Sequence, residues 1–151
     1  MAQFNTHSMQ YLKEAKSNTP YVSIDTEVGK FQIIGVSNSE NPKEFYEPIV
    51  NCIDNLTGLP LGKFHCVFQF DSLCNEDSKM MLFIFQKLKS LQVDGWNITI
   101  DWNLIDNNPY LFKIAEDFEY MIDIKININD LSKINSNILS SFKNKKDLVS
   151  I

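Results

Sequence analysis

Short runs with a two-residue apolar period take turns along this chain with longer runs of helical period. That alternation limits its fold more than any other feature. Tyr21–Asp25 reads as a short strand after Pro20, and Phe31–Val36 as its hairpin partner across a turn marked by Gly29. Asn41 and Pro42 predict a helix start, because the asparagine oxygen can cap a free N–H and proline lacks the N–H that would go unpaired there. Phe45, Ile49, Cys52, Ile53 and Leu56 recur at helical spacing and carry that helix to about Leu56. Phe64–Phe70 is mostly apolar, as a strand in the middle of a sheet is. Met80, Met81, Phe83, Ile84, Leu88 and Leu91 predict a second helix to about Val93. Trp96–Trp102 reads as a strand, Pro109 to about Tyr120 as a third helix, and Ile122–Ile128 as a last alternating strand. Leu131, Ile134, Ile138, Leu139 and Phe142 predict an amphipathic helix at the end. The resulting order, ββαβαβαβα, specifies an α/β fold. Its mostly parallel sheet would have roughly four to five strands, opened by an antiparallel hairpin.

A chain of 151 residues can bury about two-thirds of its unfolded surface in one core. No linker or repeat divides it. The expected organisation is a polar leader over 1–18, one domain over 19–128 and a C-terminal helix over 129–151. No apolar run approaches the roughly 18 residues of a membrane span, and the opening residues lack a secretory signal. Cys52, Cys66 and Cys74 are odd in number and show no C-x-x-C spacing, which reads as reduced thiols in a cytoplasm. A monomer or weak dimer is expected.

Every one of the 14 basic residues is a lysine, and the net charge is −5. Without arginine the chain has no planar fork for bidentate phosphate or carboxylate clamps. An acidic total argues against nucleic acid as a partner. From Lys125 onward five lysines and two aspartates leave a small basic tail, read as a solvated helix. The phosphate-cradling and zinc-binding signatures are missing, so no cofactor and no metal are expected.

His7 and His65 are the only histidines. His7 falls in the polar leader, so a nucleophilic site would rest on His65. An enzyme or ligand-binding reading would join His65, Asp71 and Cys74 near the C-terminal end of the central strand, where open α/β sheets hold ligands. The plainer reading of His65 is a strand histidine facing solvent or held by a neighbour. Glu116, Asp117, Glu119 and Asp123 cluster by the third helix, and a solvated acidic face outweighs a cation site there. Trp96 and Trp102 share one strand face and read as core, as does the Met80–Met81 pair.

Asp71-Ser72-Leu73-Cys74-Asn75-Glu76-Asp77-Ser78-Lys79 joins the central strand to the second helix. Asn75 suits the N-cap, and Glu76 with Asp77 then lie at the positive end of the helix dipole. As structure this is a well-capped helix start. As function it is a charged helix end offered to a partner.

Three segments resemble the SiaC-type bacterial regulatory phosphoproteins. Thr19-Pro20-Tyr21 is similar to that family's opening strand. Gly35-Val36-Ser37-Asn38-Ser39-Glu40-Asn41-Pro42, followed by Phe45-Tyr46-Glu47-Pro48-Ile49, resembles its G-x-S-x-P-E-N-P segment and first helix. Trp102 with Asp106, then Glu116-Asp117-Phe118, resembles its later tryptophan–aspartate and G-E-D-F segments. The resemblance runs from about Thr19 to Ile126. It implies a fold like that of anti-sigma-factor antagonists (STAS-like) and a non-enzymatic role in binding partner proteins. The implied partners are a Ser/Thr kinase, a phosphatase and a diguanylate cyclase, which the unmodified form activates.

The chain departs from the family at the switch. Where the family has N-[ST]-S-S-x-K, this chain reads Cys74-Asn75-Glu76-Asp77-Ser78-Lys79. Aligned without gaps, the phosphorylated position holds Asn75, and with one deletion it holds Glu76. Neither carries a hydroxyl. A phosphoryl group adds about −1.5 to −2 of charge, which Glu76 and Asp77 together approach. The expectation is a locked switch, either permanently on through Asn75 or imitating the phosphorylated state through Glu76 and Asp77. Asn75, Glu76, Asp77 and Ser78 would form the switch, with Ser72, Cys74 and Lys79 completing the partner face. Ser72 and Ser78 are the remaining hydroxyls.

Overall fold

A computed structural model describes residues 8–132. Six strands form one sheet in chain order: β1 (Gln10–Lys13), β2 (Tyr21–Asp25), β3 (Lys30–Ser37), β4 (Lys63–Leu73), β5 (Asn97–Leu104) and β6 (Asn127–Asp130). β1, β2 and β3 pair antiparallel, and β3 through β6 pair parallel. The parallel crossovers carry α1 (Pro42–Asp54), α2 (Asn75–Val93) and α3 (Pro109–Ile122). A sheet that always grows in the same direction through right-handed crossovers stacks all its helices on one face. The chain is therefore a two-layer mixed α/β fold.

The pleat follows from the sequence. Phe31 and Ile33, then Phe64, Cys66, Phe68 and Phe70, then Ile98, Ile100, Trp102 and Leu104 point under the helices and are buried. Phe68, Phe85, Trp102 and Phe118 meet there with ring centroids 5.0–6.4 Å apart. The alternate residues, among them Gln32, His65, Gln69, Asp101 and Asn103, face away from the helices.

The sheet has six strands, where the sequence led us to expect four to five, and it starts with β1 inside the supposedly irregular leader. β1 buries no side chain, so it left no apolar alternation to read. Its register, Gln10 opposite Asp25 to Lys13 opposite Val22, is held mainly by the backbone, with Gln10 Nε2 donating to Asp25 Oδ2 at 3.2 Å. The last strand is shorter than its isoleucines suggested. Asp123 adopts a left-handed conformation (φ 55°) and ends α3 after Ile122. Ile124 and Ile126 are buried in the connection that follows. In α1 the inward aromatic is Tyr46, and Phe45 is only half-buried. The predicted C-terminal helix lies outside the described residues beyond its first two positions, and so does His7. Among the described residues no helix is long and apolar enough to cross a membrane.

Candidate functional site

The start of α2 sits at the C-terminal end of β4, between the β3–α1 loop and the start of α3. β4 runs through Asp71 and Ser72 to Leu73, so the strand continues where a loop was expected. Cys74, and not Asn75, is the N-cap. Its backbone is extended, and its Sγ accepts from Asp77 N at 3.5 Å. Sulfur is a weak acceptor, so the cap is a poor one.

Neighbouring acids in the first turn take opposite roles. Glu76 is exposed and pairs with Lys79 at 3.1 Å. Asp77 is fully buried. Its Oδ2 accepts from Ser37 Oγ at 2.6 Å, Ser39 Oγ at 2.8 Å and Ser39 N at 3.0 Å. Its Oδ1 is buried too and has no hydrogen-bond partner among the described residues. Ser37 gives its single proton to Asp77, so the 2.5 Å contact between Ser37 Oγ and Tyr46 Oη has Tyr46 as donor. Burial, helped by the nearby Asp77 charge and opposed by the Ser37 contact, pushes the Tyr46 phenol up, which keeps it a donor. The chain Tyr46–Ser37–Asp77 thus ties α1, β3 and α2 together.

The other residues around the start of α2 are also engaged. Asn75 Oδ1 accepts from Tyr110 Oη at 3.0 Å, linking the start of α2 to the start of α3. Ser78 Oγ donates to the Asn75 carbonyl at 2.7 Å. Ser72 is exposed on the last turn of the strand, and Cys74 is half-buried. The expected cluster is therefore brought together, except that Asp77 points inward. One signal was in the sequence. Asp77, Met81, Ile84, Leu88 and Leu91 fall on one helical stripe, so Asp77 is in phase with the core. Ser37 is likewise in phase with Phe31 and Ile33. Nothing in the periodicity pointed to Tyr110.

The alternative site does not assemble. His65 stands near the start of β4, while Asp71 is six residues on and Cys74 follows the strand's end. At about 3.3 Å per residue, His65 lies roughly 20 Å or more from both. All three are on one extended element, which holds them apart. His65 Nε2 contacts Asp101 Oδ2 at 2.5 Å on the open sheet face. Partial desolvation raises the Asp101 carboxyl, but hydrogen bonds from His65 and Asn129 outweigh it and hold the group below its usual range. The acids near α3 serve the backbone and a neighbour. Asp117 pairs with Lys113 at 2.8 Å, Glu119 accepts from Ile126 N at 2.7 Å, and Asp123 caps the helix.

The family description "SiaC family regulatory phosphoprotein" matches residues 12–131. Among solved structures, SiaC of Pseudomonas aeruginosa is 17% identical with a TM-score of 0.70, covering 80% of this chain and 96% of that one. The crystal structure of the diguanylate cyclase SiaD in complex with its activator SiaC, from the same organism, gives 18% identity and a TM-score of 0.73, covering 80% and 98%. At such identities the likeness establishes the fold. No curated protein matches.

Proposed function

The chain belongs to the SiaC family of regulatory phosphoproteins, and on that premise we propose that it is a non-enzymatic regulator whose switch is fixed in the unmodified state. It binds a protein partner through the exposed surface of Ser72, Cys74, Asn75, Glu76 and Lys79, and a diguanylate cyclase is the partner we favour. The structure of SiaC with the cyclase SiaD supports that choice by likeness. The two-layer architecture fits the STAS-like assignment that is part of this reading.

The observation that carries it is the burial of Asp77. A phosphoryl group would add about −1.5 to −2 of exposed charge. Here the charge of Asp77 is turned inward onto three donors, and that of Glu76 is paired with Lys79. Little net charge is left facing a partner, which favours the permanently-on form over a phosphate imitation. Asn75, tied to Tyr110, offers no hydroxyl to a kinase.

Two measurements test the reading. The first is mass spectrometry after incubation with ATP and a Ser/Thr kinase of this family, which should find no stoichiometric phosphate over 72–79. Phosphate on Ser72 or Ser78 would sink the fixed switch. The second is cyclase binding, which should be unchanged by that treatment and at least tenfold weaker in Glu76→Lys, since a reversed charge on an interface is costly. Unchanged affinity in that variant would move the partner face elsewhere.

A further inference from the structure

The opposite end of the sheet carries a cavity of about 310 Å³ on the face that none of the described helices covers. Its polar side chains are Lys30, Lys63, His65, Asn97 and Thr99. Lys30, Lys63 and the Asn97 amide can donate into it, while the Thr99 hydroxyl donates to the Phe64 carbonyl and His65 Nε2 is held by Asp101, and among the described residues no carboxylate lines the cavity. In a chain with 19 acidic residues against 14 lysines, that selection runs against the composition. The ion pairs among the described residues engage His65, Lys79, Lys87 and Lys113, and neither Lys30 nor Lys63 takes part in one. Asp101 lies outside the lining and fixes the imidazole through Nε2.

The cavity wall is set by backbone. Gly29 has a φ of +76°, and a Cβ built there would stand 2.9 Å from the Lys63 carbonyl oxygen. Only glycine lets the β2–β3 turn lie this close to the start of β4. The contact is fastened by His65 N donating to Gly29 O at 2.8 Å. Lys30 and His65 are direct neighbours in the parallel register, as are Lys63 and Asn97, and His65 and Thr99. The donors therefore converge from three adjacent strands.

We propose that this cavity is an anion site for a small phosphorylated molecule. Lysines act as point charges and suit a phosphate group, whereas a bidentate carboxylate clamp would call for arginine, which the chain lacks. The volume lies at the low end for small-molecule sites, which favours a phosphomonoester or pyrophosphate over a macromolecular surface. The site is separate from the α2 start. From His65 to Leu73 β4 advances eight residues, roughly 25 Å. The proposal does not depend on the switch or on a cyclase partner.

The test is titration of the full chain with inorganic phosphate and with pyrophosphate at constant ionic strength, followed by amide NMR. Saturable shifts are expected at Gly29, Lys30, Lys63–His65 and Asn97–Thr99, with pyrophosphate the tighter of the two. The double variant Lys30→Gln, Lys63→Gln should keep the wild-type melting temperature and bind pyrophosphate at least tenfold more weakly. Lys79→Gln, at the other end of the sheet, should bind as wild type. Shifts that grow linearly without saturating, shifts centred on other lysines, or wild-type affinity in the double variant would each overturn the proposal.

Discussion

Helices α1 and α3 begin alike, and α2 begins differently. α1 starts at Asn41-Pro42, where Asn41 Oδ1 accepts from Glu44 N at 3.2 Å. α3 starts at Asn108-Pro109, where Asn108 Oδ1 accepts from Tyr110 N at 2.9 Å and Leu111 N at 3.2 Å. Both satisfy their own first turn, and both are what isolated helix physics prefers. α2 has a thiol cap at 3.5 Å and no proline. The acid that could have served its first turn is turned away to hold Ser37 and Ser39. Two starts are thus arranged for the helix they open, and the third for its neighbours. That third start is where we propose the switch lies, and its geometry joins the β3–α1 loop to α2.

The largest effect should come from Asp77. In Asp77→Ala the buried Ser37 Oγ and the half-buried Ser39 Oγ and N lose their acceptor, a loss of about 2–4 kcal/mol. Asp77→Asn keeps an acceptor oxygen but gives up the charge assistance, and its amide enters the place of the unpartnered Oδ1. About 1–2 kcal/mol is expected there. Urea unfolding of both variants measures this. If Asp77→Ala stays within about 0.5 kcal/mol of wild type, α2 is no more cross-linked than α1 or α3, and the contrast between the starts fails.

Next come the ordinary caps. Asn41→Ala and Asn108→Ala should each lose about 1 kcal/mol, and the double variant about the sum, because the two sites share no partner. Neither should alter cyclase binding, for neither belongs to the partner face. A cap variant that weakened binding as strongly as Glu76→Lys would erase the distinction between structural and functional helix starts.

The same contrast explains what could be read from the sequence. The starts of α1 and α3 carry Asn-Pro signatures, and both helices begin where those signatures lie. β2 was placed over its observed range, and the apolar face of β4 from Phe64 to Phe70 is the core it suggested. The start of α2 reads one residue late, at an Asn75 cap, because the true cap, Cys74, is a residue that rarely caps. β1 gives no apolar alternation, since it pairs mainly through backbone and only Tyr11 is half-buried. At the site, the cluster 72–79 was found, but Asp77 was assigned to the surface by its charge. Its phase with Met81, Ile84 and Leu88 argues the other way, and phase prevails because Ser37 and Ser39 together give three hydrogen bonds to Oδ2. Tyr110 was out of reach, since its contact with Asn75 joins residues 35 positions apart.

A smaller effect of opposite sign is expected at Cys74. Serine is among the preferred N-caps, and its oxygen accepts far better than sulfur. Cys74→Ser should raise stability by about 0.5 kcal/mol, read as an increase in melting temperature. A decrease would mean that the half-buried thiol matters more for packing than for capping, and that α2 lacks a side-chain cap altogether.

The smallest effect should separate Glu76 from its neighbour. Glu76 sits in the first turn of α2, where a negative charge gains about 0.3–1 kcal/mol from the helix dipole, less in salt. Its pair with Lys79 is exposed on both sides and adds at most a few tenths. Glu76→Gln should therefore cost about 0.5 kcal/mol at low ionic strength and nearly nothing at 0.5 M salt, where screening is strong at about 4–5 Å. The loss in Asp77→Asn should hold its value across the same salt range, because the carboxylate is buried and buried charges are screened far less. Of two acids adjacent in sequence, one would then respond to salt and the other would not. If both losses faded together with salt, Asp77 would behave as a surface charge, and the inward turn on which the fixed switch rests would be lost.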